Sequence, residues 1–94
     1  MILGFRCEET KKVFEGQMSR VFPPDIQRTA RRKLRQIDAA TTLQDLRSPP
    51  GNRLEALRGN RAGQHSIRVN DQWRVCFIWH SSGAYDVEMC DYQG

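Results

Sequence analysis

The hydrophobic positions of this chain change period once. In the N-terminal half, Ile26, Ala30, Leu34 and Ile37 recur at spacings of four, four and three. That is the stripe of a helix burying one side. Pro23-Pro24-Asp25 opens it, since proline suits a first helical turn and an aspartate there complements the helix dipole. Arg28, Arg31, Arg32 and Arg35 fall off the stripe, so the helix is expected to show a basic side to water. A shorter helix is expected from Glu8 to Glu15, with acids near its start and Gly16 at its end. Ile2-Leu3-Gly4-Phe5 reads as a short first strand.

Ser48-Pro49-Pro50-Gly51-Asn52 breaks the chain, and beyond it the period falls to two. Arg53 to Arg58 reads as a strand, followed by a turn over Gly59 to Gly63. His65 to Val69 alternates, Asn70-Asp71 offers a tight turn, and Gln72 to Trp79 alternates again. Trp73, Val75, Phe77 and Trp79 share one face; Arg74, Cys76 and Ile78 share the other. After Ser81-Ser82-Gly83, Tyr85, Val87 and Met89 continue one face, with Asp86, Glu88 and Cys90 opposite. Strands joined by such short turns form an antiparallel meander. The predicted fold is therefore α+β: two N-terminal helices packed on the aromatic face of a small antiparallel β-sheet. The other face stays open and carries Ser66, Arg68, Arg74 and, by alternation, Tyr92.

Length limits this reading to one domain over residues 1–94, enough for a modest core. No apolar run approaches a membrane span, and the first nine residues lack the basic-then-apolar order of a signal peptide. Three cysteines, without CxxC or Cys/His ligand spacing, argue against a disulfide scaffold and a zinc site. No metal or other cofactor is expected, and a reducing cytoplasm is the expected compartment.

Charge adds a direction. The net charge is +4, and twelve of the fifteen basic residues are arginine. Arginine favours planar, bidentate contact with phosphate or carboxylate. A polyanionic partner is expected: nucleic acid, an acidic protein segment, or both. An arginine-rich sheet face with a nearby aromatic is a plausible RNA surface. The alternative is a solvated face with cross-strand ion pairs such as Arg74 with Glu88, and the pattern leaves both open. His65 alternates with Ile67 and Val69 and reads as a packed sheet residue; His80 adjoins a turn and reads as exposed. Cys76 and Cys90 read as small apolar packing residues.

The run from Arg53 to Phe77, Arg-Leu-Glu-Ala-Leu-Arg-Gly-Asn-Arg-Ala-Gly-Gln-His-Ser-Ile-Arg-Val-Asn-Asp-Gln-Trp-Arg-Val-Cys-Phe, followed by Val87-Glu-Met-Cys-Asp-Tyr, resembles the HigB toxins. These are a branch of the RelE/ParE superfamily of bacterial toxin–antitoxin modules. The resemblance covers essentially the whole chain, including Asp45-Leu-Arg-Ser-Pro-Pro-Gly-Asn. It implies the RelE-like fold of two helices on a small sheet. It implies cleavage of messenger RNA in the ribosomal A site of the 70S ribosome, neutralised by a HigA-type helix-turn-helix antitoxin through which alone operator DNA would be bound. The site residues it implies are Glu55, Arg58, Arg74, Asp91, Tyr92 and Gln93. Arg53, Arg68, Arg31, Arg32 and Lys33 are the candidate RNA contacts. Two positions depart from the pattern: Glu55 stands where some members have His, and Gln93 replaces a terminal His.

Metal-free RNA cleavage uses the substrate's own 2′-OH as nucleophile. It needs a base at that hydroxyl, an acid at the leaving 5′-oxygen and positive charge at the phosphate. Arg58 and Arg74 suit the third role, Tyr92 could stack on a base, and Glu55 or Asp91 is the candidate base. Gln93 cannot supply a titrating proton. Two other readings stay open: a ParE-like gyrase inhibitor, because fold does not fix function, and a weakened toxin acting as a binding module.

Overall fold

The computed structural model describes residues 1–81 and 83–91. Helices α1 (Glu8–Phe14) and α2 (Pro24–Ala39) precede strands β1 (Glu55–Ala56), β2 (His65–Arg68), β3 (Trp73–His80) and β4 (Gly83–Asp91). Short 3₁₀ turns lie at Leu43–Arg47, Pro50–Asn52 and Gly59–Arg61. The strands pair antiparallel in the order β1-β2-β3-β4. The architecture is the expected α+β arrangement of helices on one face of a sheet.

The α2 stripe is buried as its period requires: Ile26, Ala30, Leu34 and Ile37 all lie in the core. They meet Ile67 of β2, Val75 and Phe77 of β3, and Val87 and Met89 of β4 in one apolar cluster. Each large side chain so buried stabilises the fold by about 1.5–3 kcal/mol. Trp73 and Trp79 flank this cluster half-buried, and Trp73 meets the edge of Phe22 with ring centroids 5.5 Å apart. Helix α1 is pinned to the sheet where the Met89 N–H donates to Thr10 Oγ1 at 3.0 Å. Gly16, at φ +86°, turns the chain out of α1 where a Cβ would sit 3.2 Å from the Arg31 guanidinium.

Four expectations are corrected. Ile2 to Phe5 is not an independent strand; Ile2 and Phe5 make single parallel bridges to Ala84 and Val87 along β4. The strand expected from Arg53 to Arg58 shrinks to two residues. Arg53 sits in the left-handed region at φ +46°, and the Arg58 side of the pair runs into a 3₁₀ turn. Tyr85 does not share a face with Val87. Two steps along β3, from Cys76 to Ile78, match three along β4, from Glu88 to Tyr85. The extra residue is absorbed where Asp86 adopts φ +52°, as in a β-bulge. Ala84, Val87 and Met89 therefore face the core, while Tyr85 is exposed beside His80.

Lys33 is the fourth. It is 7% exposed, and its Nζ donates to Asn52 Oδ1 at 2.5 Å. It lies three residues after Ala30 and four before Ile37, on the buried stripe, so it does not belong to the basic solvent face. Burial holds its ammonium below the ordinary lysine value, and the nearby charges of Arg32 and Arg68 push in the same direction.

Candidate active site

Antiparallel register places directly opposed residues on one face. Glu55 opposes Ser66, Ser66 opposes Cys76, and Cys76 opposes Glu88. The neighbouring row runs Arg68, Arg74, Cys90. Both rows lie on the sheet face away from α2. This face is not the open surface expected from alternation. Leu57 and Arg61, on the stretch that leaves edge strand β1, wall it on one side, and with the sheet they form a cleft of about 230 Å³ lined by Leu57, Arg61, Ser66, Arg74, Cys76, Cys90 and Asp91. Leu57 also lines an adjoining hollow of about 560 Å³ shared with Glu55, Ala56 and Arg58.

Arg74 is the fixed point of the cleft. It is 6% exposed; its Nε donates to Ser66 Oγ at 2.7 Å and its Nη2 to the Arg53 carbonyl at 2.7 Å. The left-handed Arg53 backbone is what turns that carbonyl inward. Glu55 Oε1 stands 3.9 Å from Arg74 Nη2, on a side chain 46% exposed. A buried cation is thus paired with a carboxylate that still reaches solvent. The pairing of Arg74 with Glu88 weighed above does not occur. Glu88 instead lies 3.6 Å from Arg6 Nε and 3.4 Å from Arg61 Nη1.

Arg61 was absent from the sequence-based candidates. It sits in the Gly59–Arg61 turn, outside any alternating run. Its guanidinium also donates to Gln64 Oε1 at 3.0 Å. Burial works to lower its value, but Cys90, Cys76 and Glu88 outweigh that and raise it, so its charge is secure.

The other candidates divide by place. Arg58 is exposed at the adjoining hollow. Asp91 ends β4 at the cleft, where its Oδ2 accepts from Gln72 Nε2 at 3.0 Å. Arg68 shares the Arg74 row and pairs with Asp71. Arg53 contributes its carbonyl to Arg74 while its side chain is exposed. Tyr92 and Gln93 lie outside the described residues. The α2 cations belong to the helical layer: Arg32 is exposed, and Arg31 lines a separate groove with Val13, Gly16, Met18 and Arg28. His65 is half-buried against Phe77, and His80 is exposed. Among the described residues, no three His, Cys, Asp or Glu side chains cluster so as to hold a metal ion. No helix among them is long and apolar enough to cross a membrane.

Residues 3–92 match the family described as the RelE-like toxin of type II toxin-antitoxin system HigB. The chain is 44% identical over 80 residues to "Toxin HigB-1" of Vibrio cholerae, covering 84% of each chain. It is 36% identical over 93 residues to "Endoribonuclease HigB" of Proteus vulgaris, covering 98% of this chain and 99% of the relative. Two crystal structures of E. coli YafQ, one of them a mutant, superpose with TM-scores of 0.58 and 0.57 at 10% identity, each covering 99% of this chain and 96% of YafQ. That likeness speaks for the fold.

Proposed function

Because the chain belongs to the HigB family of RelE-like toxins of type II toxin–antitoxin systems, we propose that it is a ribosome-dependent endoribonuclease that inhibits translation by cutting messenger RNA. The observation that carries this reading is Arg74, a buried guanidinium held by Ser66 and Arg53 at the floor of an open cleft. A cation fixed before substrate arrives needs no reorganisation as charge develops on the phosphate.

In the proposed reaction the 2′-OH attacks the adjacent phosphorus and the bond to the 5′-oxygen breaks. The products are a 2′,3′-cyclic phosphate and a 5′-hydroxyl end, the leaving 5′-oxygen taking its proton from water. Glu55 is assigned as the base that takes the 2′-OH proton. Its carboxylate is solvent-accessible and stands beside Arg74, whereas that of Asp91 is engaged by Gln72 at the end of β4. Arg61 lines the cleft and Arg58 the adjoining hollow, and both add positive charge along the RNA backbone. Arg53 and Arg68 extend that surface, and Arg31 and Arg32 are left for contacts of the helical layer. Tyr92 is assigned to base stacking, and Gln93 to a neutral hydrogen bond at the leaving oxygen. With no titrating acid assigned, in-line alignment of the message by the ribosome supplies the remaining acceleration. No metal ion takes part in this scheme.

A toxin of this class has an antitoxin partner. We assign it a HigA-type helix-turn-helix protein, which also mediates any contact with operator DNA. Residues 1–94 act as one toxin domain in the cytoplasm. Brief induction in growing cells tests the enzymatic reading against gyrase inhibition. Primer extension on abundant messages is expected to show new ends inside coding sequence, with no induction of a DNA-damage reporter. Intact messages with a strong DNA-damage response would give the chain to the gyrase-inhibiting class.

A further inference from the structure

The sheet face that carries the cleft continues beyond it. On β3, Ile78 and His80 follow Arg74 and Cys76 by alternation, and on β4 Tyr85 and Gly83 oppose them. Directly opposed residues share a face, so these four positions extend the cleft's face, beginning about 13 Å along β3 from Arg74. Leu3 joins them. A Cβ at Gly83 would collide with Leu3 Cδ1, so the glycine makes room for that side chain over the sheet. Leu3 is 48% and Tyr85 38% exposed, and His80 is exposed. The Tyr85 and His80 rings stand 6.4 Å apart and tilted by 48°, so neither covers the other's face.

Tyr85 reaches this face through a backbone irregularity. Unbroken alternation would turn it to the core with Val87 and Met89. The bulge turns it outward, and Asp86 pays with φ +52°, a region that residues other than glycine visit rarely. Bulges commonly re-aim a side chain beside a functional site. The ground between cleft and patch carries net positive charge. The Glu88 carboxylate lies 3.6 Å from Arg6 and 3.4 Å from Arg61, two guanidiniums against one acid, and the Arg6 side chain is 60% exposed. Asp86, next to Tyr85 in sequence, is exposed, so the patch itself attracts by its rings and not by its charge.

We propose that Tyr85, framed by Leu3, Ile78 and His80, is a base-stacking subsite for the message. It holds a nucleobase outside the cut dinucleotide while the RNA backbone runs past Arg6 and Arg61 to Arg74. Continuity with the cationic cleft decides the occupant. A positively charged track ending on an uncovered ring is the combination that binds single-stranded nucleic acid, phosphates on the cations and bases on the ring. The inference rests on the cleavage reading and adds to it a base contact remote from the reacting atoms. Tyr85 therefore serves binding and leaves the chemical step alone.

Photo-cross-linking tests this on the unmutated protein. The message carries a 2′-O-methyl group at the cut, which removes the nucleophile, and 5-iodouridine at each flanking nucleotide in turn. It is irradiated on programmed ribosomes and, as a short oligonucleotide, free with the protein. The expected adduct is on Tyr85, from a nucleotide outside the cut dinucleotide. Adducts confined to other residues in both settings would overturn the subsite. An unmodified message run in parallel reports cutting: an adduct on Tyr85 without cutting would support the subsite and count against the proposed function. Tyr85→Ala is expected to raise the protein concentration for half-maximal single-turnover cleavage about tenfold, the effect of losing one stacked base, with the maximal rate unchanged. Tyr85→Phe keeps the ring and should restore parental binding. A Tyr85→Ala protein that binds message as the parent does but loses its antitoxin would give the surface to a protein partner and overturn the proposal.

Discussion

Replacing Arg74 with alanine is expected to lower single-turnover cleavage on programmed ribosomes by roughly a hundredfold or more, the usual loss when one preorganised donor to a developing anion is removed. A stability cost accompanies it. Ser66 Oγ and the Arg53 carbonyl both lose the donor that satisfies them in a buried setting, which costs about 1–3 kcal/mol. Arg74→Lys separates the two effects. It keeps the charge but lacks the planar fork that holds Ser66 and Arg53 together, so its cleavage should fall between those of the parent and the alanine variant. Both variants are assayed below their measured melting temperatures. A folded Arg74→Ala protein that cuts at the parental rate would remove Arg74 from the site.

Asn52→Ala is expected to be the most damaging substitution to stability, although the residue touches no substrate. Asn52 is fully buried in the loop between the helices and the sheet. Its Oδ1 accepts from Lys33 Nζ at 2.5 Å, and its Nδ2 faces Gln36 Oε1 at 3.0 Å, the Leu46 carbonyl at 3.2 Å and the Ser48 carbonyl at 3.3 Å. Alanine strands a buried ammonium and frees the turn that leads into Arg53. Losing a hydrogen bond to a charged group and leaving that charge buried costs about 3 kcal/mol, or roughly 15 °C in melting temperature for a chain of this size.

The pH dependence identifies the cause. Lys33 is held below the ordinary value of 10.5 by burial, so the folded state binds this proton more weakly than the unfolded state. Its contribution to stability therefore grows as pH rises through the lowered value towards 10.5. The penalty of Asn52→Ala should shrink over that same range, because a neutral amine needs no acceptor. Denaturant unfolding of both proteins across the alkaline range measures this. A constant difference would show that Lys33 is not the stranded group.

These two residues also mark how far the chain could be read without coordinates. The α2 stripe was legible because burial of one helical side imposes a period that Ile26, Ala30, Leu34 and Ile37 display. Lys33 lies on that stripe, and its spacing could have revealed its burial; its charge argued otherwise, and its acceptor is nineteen residues away. The core face of β3 was legible for the same periodic reason. Tyr85 was misplaced because alternation cannot register an extra residue, and the one at Asp86 flips everything before it. Glu55 is picked out by resemblance to known toxins, and Arg74 by alternation as well, but the burial of Arg74 is not visible in the sequence. It depends on a non-local contact, the Arg53 carbonyl twenty-one residues away. Arg61 left no periodic trace because a turn residue answers to the fold around it.

The central claim is that this cleft cuts message presented by the ribosome. Its most direct test is to add purified protein to ribosomes carrying a defined codon in the A site, beside the same message free in solution, and to map the new ends. The expected result is a cut within the A-site codon that leaves a 2′,3′-cyclic phosphate and a 5′-hydroxyl, with the free message left essentially whole. Equal cutting of both messages, or an intact message on ribosomes exposed to protein that arrests growth, would contradict the account.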